Sequence, residues 1–172
     1  RTDFDLSQHA QFSGKKLEYF DPQANERYTP YVVETSVGLD RSCLMVLCDA
    51  YREEELEGET RVVLKMHPKL APVTVGVLPL IKKDELMSVG NKIRADLSES
   101  FKVQFDEKGS VGKRYRRFDE GGTPYCVTVD FDGLADNTVT VRDRDTMLQE
   151  RVGVDHLESY IRTKMKSWKP ED

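Results

Sequence analysis

The chain opens with a polar stretch, residues 1–28, broken by turn signals at SGKK and DPQAN. The apolar pattern starts at TPYVVET (29–35), whose β-branched and aromatic residues read as a strand with Pro30 near its start. Leu39, Cys43, Leu44, Leu47 and Tyr51 then recur at helical spacing. That helix runs into REEELEGE, which reads as a solvated helix end followed by a loop. TRVVLKM is a short strand and the proline-bearing HPKLAPV a linker, which puts a domain boundary between Gly58 and Pro72. VTVGVLPLI reads as a buried strand. KDELMSVGNKIRADLSES is an amphipathic helix with Leu86, Val89, Ile93 and Leu97 on one face. FKVQFDE is a strand, and VGKRYRRFDEGG a short basic helix ending at glycines. YCVTVDF and NTVTVRD are strands that can pair across the turn-rich DGLADN. VDHLESYIRTKMKSW is a last helix with Leu157, Tyr160, Ile161 and Met165 inward. Alternating strands and helices predict an α/β layer on a largely parallel sheet, made mixed by the neighbouring late strands.

Composition narrows the field only slightly. The 172 residues are 38% hydrophobic and 33% charged, the balance of a soluble globular protein. The net charge is −5, so any nucleic-acid binding must use a local basic patch. No apolar stretch approaches the roughly 20 residues of a membrane span, and the start RTDFDLSQ has no leader-like character. The expectation is a cytoplasmic chain without membrane contact, cut from something longer. Cys43, Cys48 and Cys126 lack metal or redox spacing and sit in apolar runs, so buried free thiols are expected.

Two segments carry candidate chemistry. In ETSVGLDR, Glu34 follows a strand, Gly38 permits close backbone approach, and Arg41 sits in a first helical turn. Free helix amides beside an arginine make an anion site suited to phosphate, and Glu34 with Ser36 suits a bound ammonium. The plainer alternative is a helix start with an ordinary Glu34–Arg41 ion pair. In GSVGKRYRR the glycine spacing fails the phosphate-loop pattern, and Arg114 stands where Ser or Thr is needed. Lys113, Arg114, Arg116 and Arg117, with Tyr115 and Phe118 between them, can instead contact phosphates and stack on unpaired bases. A solvated face balanced by Asp119 and Glu120 explains the same residues equally well. Asp130 and Asp132 can hold Mg²⁺ or simply serve a turn, and no metal site is expected. Arg142, Asp143, Arg144 and Asp145 cross-pair or lie on a wet face. His9, His67 and His156 form no hydrolytic pattern.

Several runs, in order, resemble one known family: RTDFDLSQH, SGKKLEYFDP, YTPYVVETSVGLDRSCLMVLCDAY, VVLKMHPKLAPVTVGVLPL, GSVGKRYRRFDEGGTPYCVTVDFD and NTVTVRDRDTMLQERV. They resemble the C-terminal portion of the dimeric, class II type of glycyl-tRNA synthetase. The resemblance implies that residues 1–60 end an antiparallel class II catalytic domain. Residues 61–71 would be a linker, and 72–172 an anticodon-binding domain with a mixed five-stranded sheet flanked by helices. VGLDR is similar to the third class-defining motif. This implies that Arg41 meets the terminal phosphate of ATP, with Gly38, Leu39 and Asp40 lining the nucleotide. Glu34, Thr35, Ser36, Val37 and Gly38 would line the glycine pocket, Glu34 holding the ammonium, with Arg1 nearby. Thr35 and Val37 stand where the family often has Pro and Ala. Lys113, Arg114, Arg116, Arg117, Asp119, Glu120 and Thr123 would face the anticodon loop of glycine tRNA.

The implied parent reaction joins glycine to its tRNA using ATP with Mg²⁺, in a homodimer. Catalysis there is by positioning and charge stabilisation. The first two class motifs are missing from these residues, so the chain alone is expected to be inactive. The alternative is a non-catalytic relative such as a polymerase accessory subunit, which has no chemical need to keep Glu34, Ser36 and Arg41 together.

Overall fold

The computed structural model describes residues 2–56 and 58–170 and divides into two compact units, one up to Ser42 and one from Cys43. In the first unit, helix α1 (Phe4–Ser13) ends at Gly14, whose φ of 68° lets its N–H reach the Ala10 carbonyl. A short hairpin follows, β1 (Tyr19–Asp21) with β2 (Glu26–Tyr28), and Tyr19 pairs with Tyr28 edge to face. Asp21 Oδ1 accepts the Gln23 and Ala24 N–H groups and so builds the turn. The polar opening of the sequence conceals all three elements, because α1 buries no residue and gives no apolar period.

The expected strand at 29–35 does not form. A strand is held by a neighbour's ladder, and here the Val32 N–H donates to the Thr2 carbonyl without a ladder developing. Helix α2 (Leu39–Ala50) forms as the spacing predicts, except that Tyr51 already belongs to the following strand. Its apolar stripe, however, stays exposed at Leu44, Met45 and Leu47. Cys43 and Cys48 are therefore exposed, against expectation, and only Cys126 is buried, where burial pushes its thiol up.

In the second unit the acidic run is not a loop. Tyr51–Leu56 is strand β3, paired antiparallel with β4 (Glu59–Leu64). From Glu53 onward exposure alternates: Glu54 and Leu56 are partly covered while Glu53 and Glu55 face water. The main sheet holds β5 (Val75–Pro79), β6 (Val103–Phe105), β7 (Tyr125–Val129), β8 (Thr138–Asp143) and β9 (Gln149–Gly153) in the order β6-β5-β7-β8-β9. β6, β5 and β7 run parallel, and β8 and β9 add antiparallel. The expected mixed sheet is thus present. Strand β9, hidden in the polar run QERVG, went unread because only Val152 of it is buried.

Helix α3 (Asp84–Ser98) and helix α6 (Leu157–Ser167) cover one face of this sheet, and helix α4 (Val111–Glu120) the other. Residue parity makes the division. Val75 and Val77 join Leu86, Ile93, Leu157 and Ile161, whereas Leu78 and Cys126 join Phe118. β5 and β7 are buried on both faces, which is why they read as near-continuous apolar runs. Gly76 is required: a Cβ there would sit 2.9 Å from the Phe118 ring. The turn-rich DGLADN contains a short helix, α5 (Phe131–Asp136), ended by Asn137 at φ 51°. A 3-10 turn, Val154–His156, leads into α6.

Candidate functional site

ETSVGLDR is exposed throughout from Glu34 to Arg41. The Gly38 carbonyl accepts both the Ser42 N–H, at 3.0 Å, and the Ser42 hydroxyl, at 2.9 Å, which fixes the first turn of α2. Among the described residues Glu34 and Arg41 form no ion pair with each other or with any other group. The plainer alternative of an ordinary Glu34–Arg41 bridge is therefore not what this structure contains. A free guanidinium lies in the first turn of α2, where amides lack intrahelical acceptors, and a free carboxylate lies upstream. Arg1 lies outside the described residues.

The basic segment behaves differently. Of its cations, Lys113 is exposed, Arg116 half-buried beside the β3–β4 hairpin, and Arg117 half-exposed. Arg117 pairs with Asp106 at 2.7 Å. Arg114 is only 2% exposed, which rules out its proposed place on an RNA-facing surface. Its guanidinium donates to the carbonyls of Pro79, Leu80 and Asp106, at 2.6, 3.0 and 3.0 Å, closing the ends of β5 and β6. Asp119 and Thr123 are likewise buried, while Glu120 is exposed.

Asp119 is the hub of an ionic network. Its carboxylate accepts from Arg61 Nε at 2.9 Å and from Arg142 at 2.8 and 3.1 Å. Arg61 reaches onward to Glu54 and to the Arg144 carbonyl. Arg144 donates to the Gly122 and Met66 carbonyls and pairs with Asp145 at 2.7 Å. Arg142 and Arg144 are thus interior groups and not a wet face. Their alternation with acids concealed this, since the partners of Arg142 and Arg61 are far away in sequence. Asp130 caps α5 by accepting the Gly133 N–H and pairs with Arg151 at 2.8 Å. Burial alone would raise its carboxyl, but Arg151 and the Gly133 amide hold it below the usual range. Among the described residues no group of three His, Cys, Asp or Glu side chains is arranged to hold a metal ion.

Topology marks a surface that the sequence reading missed. β5 connects through α3 to β6 on one side, and β7 connects through α5 to β8 on the other. In open α/β sheets the crevice outside the carboxyl ends of such strands is where ligands dock. The amino ends of α3 and α4 point to the same edge. Leu80 and Ile81 follow β5 there and Phe131 follows β7, and all three are partly exposed. The loops meet, since the Leu80 N–H donates to the Val129 carbonyl and Lys83 Nζ lies 5.0 Å from the Phe131 ring centre. Exposed apolar faces flanked by Lys82, Lys83 and Lys113 suit unpaired bases with their phosphates. Apolar residues just past the parallel strands were the available signal.

Comparison with known families matches residues 74–164 to the family described as "Anticodon binding domain". The chain belongs to that family. The anticodon-binding domain takes in the whole five-stranded sheet with α3, α4, α5 and most of α6. Among curated relatives, the glycine–tRNA ligase of Chlorobaculum tepidum is 56% identical over 96% of this chain, and that of Borrelia hermsii 54% over 98%. The chain spans only 35% and 39% of their respective lengths. A solved prolyl-tRNA synthetase from Cryptosporidium parvum, complexed with halofuginone and AMPPNP, aligns with 60% of the chain. Its TM-score is 0.57 at 25% identity, and 22% of that protein is covered. No helix among the described residues is long and apolar enough to cross a membrane.

Proposed function

We propose that this chain is the C-terminal part of a class II glycine–tRNA ligase. Residues 1–60 would end the catalytic domain, 61–71 link, and 72–172 bind the anticodon of glycine tRNA. The observation that carries the reading is the 56% identity to a glycine–tRNA ligase across 96% of the chain. The unpaired state of Glu34 and Arg41 supports it, because a site for a charged substrate leaves its charges free until the substrate arrives. In this reading Arg41 and the first amides of α2 hold the terminal phosphate of ATP, which comes with its own Mg²⁺ as the substrate complex. Gly38, Leu39 and Asp40 line the nucleotide. Glu34 holds the glycine ammonium with Ser36 beside it, and Thr35 and Val37 border that pocket. The parent enzyme is a cytoplasmic homodimer that activates glycine and then transfers it to tRNA.

On the RNA side the reading surface is narrower than the basic run suggests. Lys113, Arg116 and Glu120 remain available on α4, and Arg117 is half-exposed but paired with Asp106. Leu80, Ile81, Phe131, Lys82 and Lys83 complete the surface at the carboxyl edge of the sheet. Arg114, Asp119 and Thr123 support that surface from inside.

The test uses the full-length enzyme with Arg41→Ala. Loss of a charged phosphate contact costs about 1.5–3 kcal/mol, so glycine-dependent pyrophosphate exchange drops by roughly ten- to a hundredfold while tRNA affinity holds. Exchange at the wild-type rate rejects the assignment.

A further inference from the structure

The opposite, amino edge of the main sheet carries a second charged feature that the reading above does not use. A groove of about 550 Å³ lies between the carboxyl ends of α3 and α6 and the start of β5. Three lysines from three separate segments line it: Lys69 from the turn before β5, Lys102 just ahead of β6, and Lys166 in the last turn of α6. All three are exposed, and none of their ammonium groups has an ion-pair or hydrogen-bond partner among the described residues. The Thr74 N–H donates to the Lys102 carbonyl at 2.8 Å, which ties the Lys102 backbone to the start of β5. Arg162 adds a fourth cation, held over the Phe101 ring at 5.4 Å and bonded to the Ser100 hydroxyl at 2.8 Å and to Glu158 at 2.9 Å. Glu99 is the carboxylate on the groove lining.

In a chain of net charge −5, this concentration of unneutralised lysine calls for a reason. A lysine in the last turn of a helix is favoured by the helix dipole, which accounts for Lys166. It does not account for Lys69 or Lys102, which lie outside every helix. Unpaired like charges gathered from separate segments cost repulsion unless an anion meets them. Lysine is a point charge on a flexible stem, suited to a phosphate backbone, where no fixed bidentate geometry is asked for.

We propose that this groove is a second RNA contact, gripping the sugar-phosphate backbone of a base-paired stem whose unpaired loop sits at the carboxyl edge. The proposal rests on the reading of this unit as an RNA-binding domain. The two edges are separated by the length of β5, roughly 17 Å for five residues at about 3.3 Å each. A stem running along the strands therefore passes both. Contacts here go to phosphates and carry no sequence information, so the groove supplies affinity while the carboxyl edge supplies discrimination.

The experiment is a salt titration of residues 1–172 with glycine tRNA, an anticodon-swapped tRNA and the isolated single-stranded loop. It compares the wild type with Lys69→Ala/Lys102→Ala/Lys166→Ala, and with Lys69→Arg/Lys102→Arg/Lys166→Arg. The alanine variant is expected to bind both tRNAs more weakly, by roughly tenfold or more at low salt, with the slope of log affinity against log salt reduced by up to about 0.9 per lost contact. The ratio between the two tRNAs and the affinity for the isolated loop stay unchanged, and the arginine variant stays near wild type. Unchanged affinity and slope for both tRNAs in the alanine variant overturn the proposal while leaving the carboxyl-edge reading intact. A loss confined to the isolated loop overturns the proposal and the carboxyl-edge placement of the loop together, because the loop would then sit on these lysines. A wild-type chain that binds no tRNA overturns the proposal and the underlying reading together.

Discussion

The tripeptide Ser-Val-Gly occurs twice at the start of an arginine-bearing helix, just ahead of α2 at 36–38 and as the N-cap and first two residues of α4 at 110–112, and the arginines that follow have opposite fates. After the first, Arg41 stands exposed with no ion-pair partner among the described residues. After the second, Arg114 is buried and donates to three carbonyls. The difference lies in what each helix packs on. α4 lies on a sheet whose strand ends present unmet carbonyls, and an arginine fork reaches several of them at once. Among the described residues no carbonyl or carboxylate accepts from Arg41 in the first turn of α2. Similar local sequence thus yields a structural arginine in one place and a free, ligand-ready arginine in the other. Tertiary surroundings decide which.

The comparison breaks first at Asp119, the interior acid in the last turn of α4. Asp119→Ala strands Arg61 and Arg142 without their carboxylate, and removing one partner of a buried pair costs about 3–5 kcal/mol. Urea unfolding followed by circular dichroism measures this. A loss below about 1 kcal/mol would mean the network is incidental to holding the hairpin and α4 on the sheet. Arg114→Met comes next. It keeps the apolar stem but leaves the Pro79, Leu80 and Asp106 carbonyls without this donor, at about 1.5–3 kcal/mol. If Arg114→Met unfolds at the wild-type urea midpoint, Arg114 is not the staple described here.

Much of the second unit was legible because its strands and helices bury regular stripes. Val75, Val77, Leu86, Ile93, Leu97, Leu157 and Ile161 announce their faces by spacing alone, and all are in the core. What escaped was polar. REEELEGE reads as solvent-facing, yet it supplies β3, because its interior contact is Glu54 meeting Arg61 and Lys65. Arg61, Arg114, Arg142 and Arg144 look like surface charges until partners as far as 83 positions away are brought to them by the fold. The segment 29–35 failed in the other direction, since β-propensity without a neighbouring ladder makes no strand. At the candidate site, the exposed residues Glu34 to Arg41 were found by pattern. The apolar residues at the carboxyl edge needed the strand order, which no local window contains.

A smaller effect, within the second unit, depends on pH. Burial tends to raise the Asp145 carboxyl, but its bonds to Arg144 and to the Trp168 indole N–H outweigh this and hold it low. Glu54 is lowered in the same sense by Lys65 and Arg61 against the same opposing burial. A carboxylate depressed in the folded state adds stability that is fully present above its unfolded pKa of about 4. That stability is lost as pH falls through the lower folded value. The melting temperature of the second unit therefore declines as pH drops below about 4. Asp145→Asn should melt lower than wild type at neutral pH and show a shallower decline from pH 5 to pH 2. Parallel melting curves for the two proteins across that range would remove Asp145 from the account.

The smallest expected effect is the most pointed. Arg41→Ala removes a side chain with no partner among the described residues, so its stability should stay within about 0.5 kcal/mol of wild type. The sign should lean towards stabilisation, because an unpaired cation in the first turn of a helix opposes the dipole. This is the reverse of Arg114, where the same residue type near a similar helix start holds the fold together. Urea unfolding of residues 1–172 with either substitution puts the two on one scale. If Arg41→Ala destabilises by as much as Arg114→Met, then Arg41 is held by the fold and is not free for phosphate, and the two helix starts are alike after all. If Arg41→Ala is silent or stabilising, the fold does not use its guanidinium, which stays free to meet an anion beside the first amides of α2.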